Sequence, residues 1–392
     1  LEFRRVLFRS FKTLDEANYY AWKCPSVKEI KVARGTYYPS SFAFDMEPNG
    51  IGARSKGDVL TLHIRTGLSV FGGYATGGGQ RNPSLYPTVL SGAGTHNPPH
   101  LTLRSRSSHI LFIDSSKYWN IPNSITTIDG FTIQNGYAVS GWDEYKSYVN
   151  KDSVNRHNGG GIYINSGTNI ISNNIFKNDS TSDGGKGAAI YAHKSFNTFT
   201  GNFFLKNIAQ GWLYNSGGAI FTDTCSNIIT NNVFKDNFAY QGGAINTFVG
   251  KNTIANNTFS KNNASSSGGG IYTVLATNRI INNIFHQNSI SGNSGAVTSD
   301  CCSFASISNT YLNNILQLYP TLYTPLNNNN LGTNSGNLFL VDPVFTTASK
   351  PEGWDHYYRT EDDGMVVSAY SPAVHAGIAT TETTQDILGI TR

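Results

Sequence analysis

Cysteine is scarce in this chain, with only Cys24, Cys225, Cys301 and Cys302 among 392 residues. In the register of the internal repeats, Cys225 and Cys302 take equivalent places three turns apart. At about 4.8 Å per turn that is roughly 14 Å, beyond disulfide reach. Cysteine usage thus offers no disulfide framework, and it leaves the compartment open. Charge is scarce as well: Asp, Glu, Lys and Arg make up 14% of the residues, and the net charge is +4. Half of that charge sits in the opening stretch Leu1 to Ser10, where Arg4, Arg5 and Arg9 face only Glu2. The nearly neutral remainder carries no electrostatic footprint for nucleic acid or an anionic membrane surface. Long apolar runs are missing too. None approaches the ~18 residues of a membrane-spanning helix, so no membrane span is expected.

The opening decapeptide LEFRRVLFRS starts on Leu rather than Met and fits neither a signal peptide nor the repeats of the remaining chain. It reads as a non-native scar, and residues 1–10 are set aside. What the rest has in abundance is Gly, 40 in all, with 12% aromatic residues and an excess of Asn, Ser and Thr. That is a β-rich, turn-rich, extracellular composition. A solenoid grows by adding like units, so the length does not demand a second domain.

Internal repetition is the governing pattern. Gly159-Gly-Gly-Ile162, Gly187-Ala-Ala-Ile190, Gly217-Gly-Ala-Ile220, Gly242-Gly-Ala-Ile245, Gly268-Gly-Gly-Ile271 and Ser294-Gly-Ala-Val297 place an aliphatic residue at intervals of 28, 30, 25, 26 and 26. Phe176, Phe204, Phe234, Phe259, Phe285 and Tyr311 follow at the same intervals. Two markers that keep step through unequal repeats point to one structural turn per repeat. Runs such as Ile162-Tyr-Ile-Asn165 and Ile170-Ile-Ser-Asn-Asn-Ile-Phe176 alternate like short strands separated by bends. One turn cannot bury its apolar face alone, but stacking at the strand spacing joins the inward Ile, Val and Phe into a continuous core. The expected fold class is all-β, a parallel β-helix (solenoid), with Ile162, Ile190, Ile220, Ile245, Ile271 and Val297 in one buried column. Asn174, Asn202, Asn232, Asn257, Asn283 and Asn309 each precede the aromatic marker by two residues. They are expected to form a structural ladder of side-chain amides at left-handed bends.

These GGAI segments, with Phe204-x-x-Asn207, Phe234-x-x-Asn237, Phe259-x-x-Asn262 and Phe285-x-x-Asn288, resemble the paired GGAI and FxxN repeats of polymorphic outer-membrane proteins. The resemblance implies a right-handed parallel β-helix of the pectate-lyase-like superfamily, displayed at a cell surface and often adhesive. The first turn departs from the pattern, reading Phe176-Lys-Asn-Asp179. Upstream, Leu14, Ala17 and Tyr20 or Ala21 share one helical face, which suits a short N-terminal capping helix that plugs the open end. Lys28 to Tyr38, Leu68 to Tyr74, Arg81-Asn-Pro83 and Ile128 to Ile133 look like the opening rungs of bacterial parallel β-helix repeat proteins. Val341-Asp-Pro-Val-Phe345 and Ala369 to Gly377 resemble the choice-of-anchor Q domain, which closes many secreted bacterial β-helices. That domain normally runs on through a final strand, whereas this chain stops at Arg392. The expected organisation is thus a capped β-helix over 11–340, its clearest repeats over 159–314, and a truncated choice-of-anchor Q-like region over 341–392.

Alternation and stacking also predict the outer columns. Tyr163, Tyr191, Phe221, Asn246, Tyr272 and Thr298 follow the inward aliphatics, and Asn165, His193, Asp223, Phe248, Val274 and Asp300 lie two further along. The rings of Tyr163, Tyr191, Phe221 and Tyr272 suit stacking on sugar faces and are the candidate carbohydrate-binding residues. The other reading is that they pack beneath loops or along the sheet. His193 and Asp223 fall on adjacent rungs with Lys194 beside them, close enough for an acid–base pair; the alternative is a solvated polar face. The NTD, paired-Asp, His-Gly and Arg-Ile-Lys segments of polygalacturonase-type glycosidases are missing, as is the stacked Asp cluster with Arg of a calcium-dependent pectate lyase. Asp355, Glu361, Asp362 and Asp363 lie in one Gly-bounded loop, a set of hard oxygens suited to a structural Ca²⁺, with a solvated acidic turn as the alternative. The expected function is that of a secreted or cell-surface protein binding a polysaccharide or surface glycan. Two alternatives stand beside it: a polysaccharide lyase or glycoside hydrolase working on the aromatic face, and a passive stalk or spacer.

Overall fold

Bends at left-handed residues cut each repeat into short strands. In the turn that begins at Ile162 the strands are Ile162–Asn165, Thr168–Ser172, Ile175–Lys177 and Ser180–Thr181, with positive φ at Ser166, Asn173 and Asn178 between them. Gly and, after it, Asn tolerate that conformation at least cost. From Ile220 onward the first two strands run together as Ile220–Thr230, Ile245–Ala255 and Ile271–Ile281. The computed structural model describes residues 11–39, 61–93, 109–114, 124–138, 147–149, 152–154, 157–182, 184–211, 216–291, 301–304, 308–316, 334–346, 349–358, 360 and 365–379. Among them, successive turns pair in parallel to give sheets of 15, 10 and 6 strands. The fold is a parallel β-solenoid with one N-terminal helix. No helix among the described residues is long and apolar enough to cross a membrane.

The helix Leu14–Lys23 starts where the Thr13 hydroxyl accepts the Glu16 amide, and it buries Leu14, Asn18, Ala21 and Trp22. Ala21, not Tyr20, completes the inward face. Asn18 Nδ2 and Trp22 Nε1 both donate to the His63 carbonyl, at 2.9 and 2.7 Å, on the first rung of Leu62–Arg65. Arg65, fully buried, donates to the carbonyls of Ala21 and Thr66 at 3.1 and 3.3 Å, and the first of these satisfies a helix-end carbonyl that has no partner within the helix. Arg81 of the Arg-Asn-Pro segment pairs with Asp129, whose other oxygen accepts from Ser172 and Asn173.

Ile162, Ile190, Ile220, Ile245 and Ile271 form the expected column and are all fully buried. Phe176, Phe204, Phe234, Phe259 and Phe285 stack beside it with ring centroids 4.7–4.8 Å apart and planes within 7°. Each Asn of the ladder at the second bend donates Nδ2 to Oδ1 of the next, from Asn174 through Asn202, Asn232, Asn257 and Asn283. The left-handed residue is the one before the ladder Asn, as at Asn173, Asn231, Asn256 and Asn282. Two more ladders flank it. Asn169, Asn197, Asn227, Asn252 and Asn278 line the second strand, and Asn207, Asn237, Asn262 and Asn288 line the third bend.

The last turn departs from the expected spacing. The second-bend ladder continues from Asn283 to Asn314, 31 residues on, and then to Asn337. Asn309 instead pairs in register with Asn278, Tyr311 with Ile280, and Leu316 with Phe285. The physical reason is that the second and third strands both carry an Asn two residues ahead of an inward apolar residue, so Asn309-Thr-Tyr311 imitates the marker one strand early. Likewise Cys301 lies opposite Ile271 and Cys302 opposite Tyr272, whereas Cys225 lies opposite Gly250. The two cysteines therefore occupy different columns. Val297 and Thr298 lie outside the described residues.

A C-terminal strap covers the outer face of the third-strand sheet. Val344–Thr346 bonds back on Val366–Ser368; Phe345 meets His286 edge-on at 5.2 Å, and Tyr358 packs on Phe203 at 5.0 Å. Met365 and Tyr358 cover Phe203, Leu205 and Val233, and Asn282 and Asn313 bond the backbone of Ile378 and Ala376.

Asn257→Ala removes an acceptor for the Asn232 amide and a donor to Ile229 and Asn283. Denaturant melts are expected to show a loss of about 2–5 kcal/mol, and a loss below about 1 kcal/mol contradicts a structural ladder. His286 accepts from or donates to Ser260 at 3.2 Å under the strap. Burial holds its pKa below the ordinary value, with Asp342 opposing and Lys261 and Lys235 adding to the shift. Its folded pKa lies below the unfolded one, so its contribution is complete above about pH 6.5 and declines as pH falls toward the folded value. His286→Gln should flatten the fall in Tm between about pH 6.5 and 5 relative to the parent protein; parallel curves would exclude this role.

Candidate functional site

On the first strand of each turn, the register puts Phe112, Tyr163, Tyr191 and Phe221 in one outer column, followed by Asn246 and Tyr272. The rings stack on one another, with Tyr163 to Tyr191 at 4.9 Å and Tyr191 to Phe221 at 5.7 Å. Towards the cap the row continues through Phe112 and His63 to Trp22, with His109 against Tyr163. Lys186 Nζ lies 4.8 Å over the Phe221 ring.

This arrangement corrects the expectation of an exposed aromatic stripe. Tyr163, Tyr191, Phe221 and Tyr272 keep only 4–8% of their surface exposed. At the rung spacing each ring face is taken by the ring on the next turn, so no free faces remain for a sugar along the run from Phe112 to Phe221. Burial, with Tyr163, Asp223 and Cys225 behind it, pushes the Tyr191 phenol far above its ordinary value. Tyr191→Ala is accordingly expected to cost about 3 kcal/mol or more, as for a core aromatic. A chemical melt reads this, and an unchanged midpoint would mean that the ring is not part of a packed wall.

His193 and Asp223, by contrast, come together as expected. Their strands pair in register, Nδ1 lies 3.2 Å from Oδ2, and each side chain is about one-quarter exposed. The carboxylate is held below its usual pKa chiefly by the hydrogen bond from His193, against the cost of burial, with Thr224 and Lys186 helping. A carboxylate on Nδ1 fixes the imidazole tautomer and leaves Nε2 as the free base or donor. Asn165, one rung earlier, donates to Asp114 at 3.2 Å. Lys194 is the left-handed residue of the bend, exposed, and its backbone N–H donates to the Asp223 carbonyl. No hydrogen bond or ion pair joins its side chain to the pair among the described residues.

The open surface lies around that bend, on the second strand. Phe196 follows His193 by three residues and is 64% exposed; Ile125, Ile228 and Phe248 are also exposed on this flank. In register, the two outward columns there read Ile125, Thr168, Phe196, Ser226, Lys251 and Thr127, Ile170, Thr198, Ile228, Thr253. Sequence reasoning missed Phe196. The signal available was the alternation in Phe196-Asn-Thr-Phe199, in which Asn197 and Phe199 go in and Phe196 must therefore go out.

Of the acidic loop, Asp355 is exposed and its Oδ1 accepts the Tyr357 amide at 2.8 Å. Glu361, Asp362 and Asp363 lie outside the described residues. Among the described residues no three His, Cys, Asp or Glu side chains are grouped to hold a metal ion. Compared with models of protein families, with curated proteins and with solved structures, the chain gives no match in any of the three.

Proposed function

We propose that this solenoid is an extracellular or cell-surface protein that binds an extended glycan along its axis, at the bend between the first and second strands. The observation that carries the reading is Phe196, a ring 64% exposed on a parallel sheet, with Ile228 and Phe248 exposed nearby and hydroxyls of Thr198, Ser226 and Thr253 around them. Isolated exposed apolar residues need no explanation, but several gathered on one face do. Sugar rings offer apolar faces rimmed by hydroxyls, and this face offers both kinds of contact. His193 and Asp223 stand at its edge as hydrogen-bonding groups. The likeness of the repeats to those of polymorphic outer-membrane proteins supports display at a cell surface.

A second reading rests on the His193–Asp223 hydrogen bond, which has the form of an oriented general base. On that reading the same face belongs to a polysaccharide lyase or glycoside hydrolase. A panel of neutral and acidic polysaccharides, scored for retention and for new reducing or unsaturated ends, tests both. Phe196→Ala should weaken retention by about 1–3 kcal/mol while leaving Tm unchanged. His193→Ala should cost only modest affinity in a binder, but about 10²- to 10⁴-fold in rate in an enzyme. If the parent protein retains no glycan and releases no ends, binding and catalysis both fail and a passive spacer remains.

A further inference from the structure

The third-bend ladder contains one residue that is not an amide. In Asn207, Asn237, Asn262 and Asn288, Oδ1 accepts the backbone N–H of the ladder residue one turn earlier. Nδ2 of each donates to a backbone carbonyl of an earlier turn, for example Asn207 to Phe176 and Asn237 to Phe204. In the first three, Nδ2 also donates to Oδ1 of the next Asn, at 2.8–3.0 Å. Asp179 occupies the same cage at the N-terminal end of this ladder, where the preceding turn supplies Gly136 and no side chain.

Half of the pattern is intact there. Asp179 Oδ1 accepts the Gly136 amide at 2.8 Å, and the Asp179 amide donates to Asn207 Oδ1 at 3.0 Å. The other oxygen, Oδ2, stands where the neighbours have an NH₂ group. It is buried, has no hydrogen-bond partner among the described residues, and packs against Gly161. The register makes Ile133 the equivalent of Phe176. The groups that an amide would address from this place are therefore acceptors, the Ile133 carbonyl and Asn207 Oδ1. An ionised oxygen facing acceptors in a dry site is unfavourable, whereas a hydroxyl there restores the donor.

We infer that Asp179 is a neutral carboxylic acid in the folded chain, its Oδ2 proton standing in for an amide hydrogen, so that this ladder is closed by acid and opened by rising pH. Burial pushes the carboxyl well above the usual carboxylate range, against the single Gly136 hydrogen bond. Of the titratable groups on the neighbouring strands and bends, Lys206 is exposed and Lys177 and Tyr137 are half-buried, and none contributes to the shift. The folded state holds its proton more tightly than the unfolded chain, whose Asp titrates near pH 3.9. The stabilising contribution is therefore complete below about pH 4 and is lost as pH rises to the folded value, each unit of the shift being worth tenfold in the folding equilibrium.

Asp179→Asn completes the ladder with a group that does not titrate. Chemical melts of the parent protein, Asp179→Asn and Asp179→Ala from about pH 4 to 9 separate the alternatives. The Asn variant should match the parent within about threefold in folding equilibrium near pH 4 and exceed it at least tenfold by pH 8. The Ala variant should be weaker than Asn at every pH by a constant factor. A parent-to-Asn difference that does not change with pH, or a parent more stable than Asn at pH 8, would overturn the inference.

Discussion

An amide side chain buried in this solenoid is satisfied by partners on the turns above and below, backbone groups and, along each ladder, a like side chain at the same height. Such pairing runs along three ladders here, with donor–acceptor distances of 2.7–3.3 Å between side chains. It ties the register of every turn to its neighbours, because a slip of one residue would bury several unpaired amides at once. The stacked Phe column and the fully buried Ile column share this spacing. So do the outer columns, which is why Tyr191 meets Phe221 and His193 meets Asp223 without any local motif bringing them together.

The inward columns were legible in the sequence because they must repeat at the turn length whatever else varies. The capping helix was legible for a related reason, its apolar face being visible as a period, although Asn18 and Trp22 add polar anchors that a hydrophobic pattern cannot reveal. The last turn misled because Asn309-Thr-Tyr311 obeys the grammar of the second strand and Asn314-Ile-Leu316 that of the third. Exposure was the least legible property. Alternation shows that Tyr163 and Tyr191 point away from the core. It cannot show that their faces are covered by each other, nor that His109 and Lys186 lie against the row. The strap over Phe203, Leu205 and Val233 is equally invisible locally, since Tyr358 and Met365 are remote in the chain.

The candidate site follows from the same geometry. Once the ring column is a wall, the remaining open chemistry on this flank is at the bend where His193 and Asp223 meet and where Phe196 emerges on the following strand. A binder and an enzyme would both use this place, the difference lying in whether His193 Nε2 only donates or accepts a hydrogen bond or also moves a proton. Asp179 shows a complementary use of polar residues: a ladder otherwise built of amides carries an acid at its end, where protonation supplies the missing donor.

Amide hydrogen exchange at Asn202, Asn232 and Asn257 reads the ladders directly, since each of these N–H groups is donated to the Oδ1 of the next ladder Asn at 2.9 Å. If the ladders hold the turns together, all three amides exchange only through global unfolding, with protection equal to the full stability of the chain. Exchange of any of them through local opening, at a free energy well below that of the flanking strand amides, would contradict it.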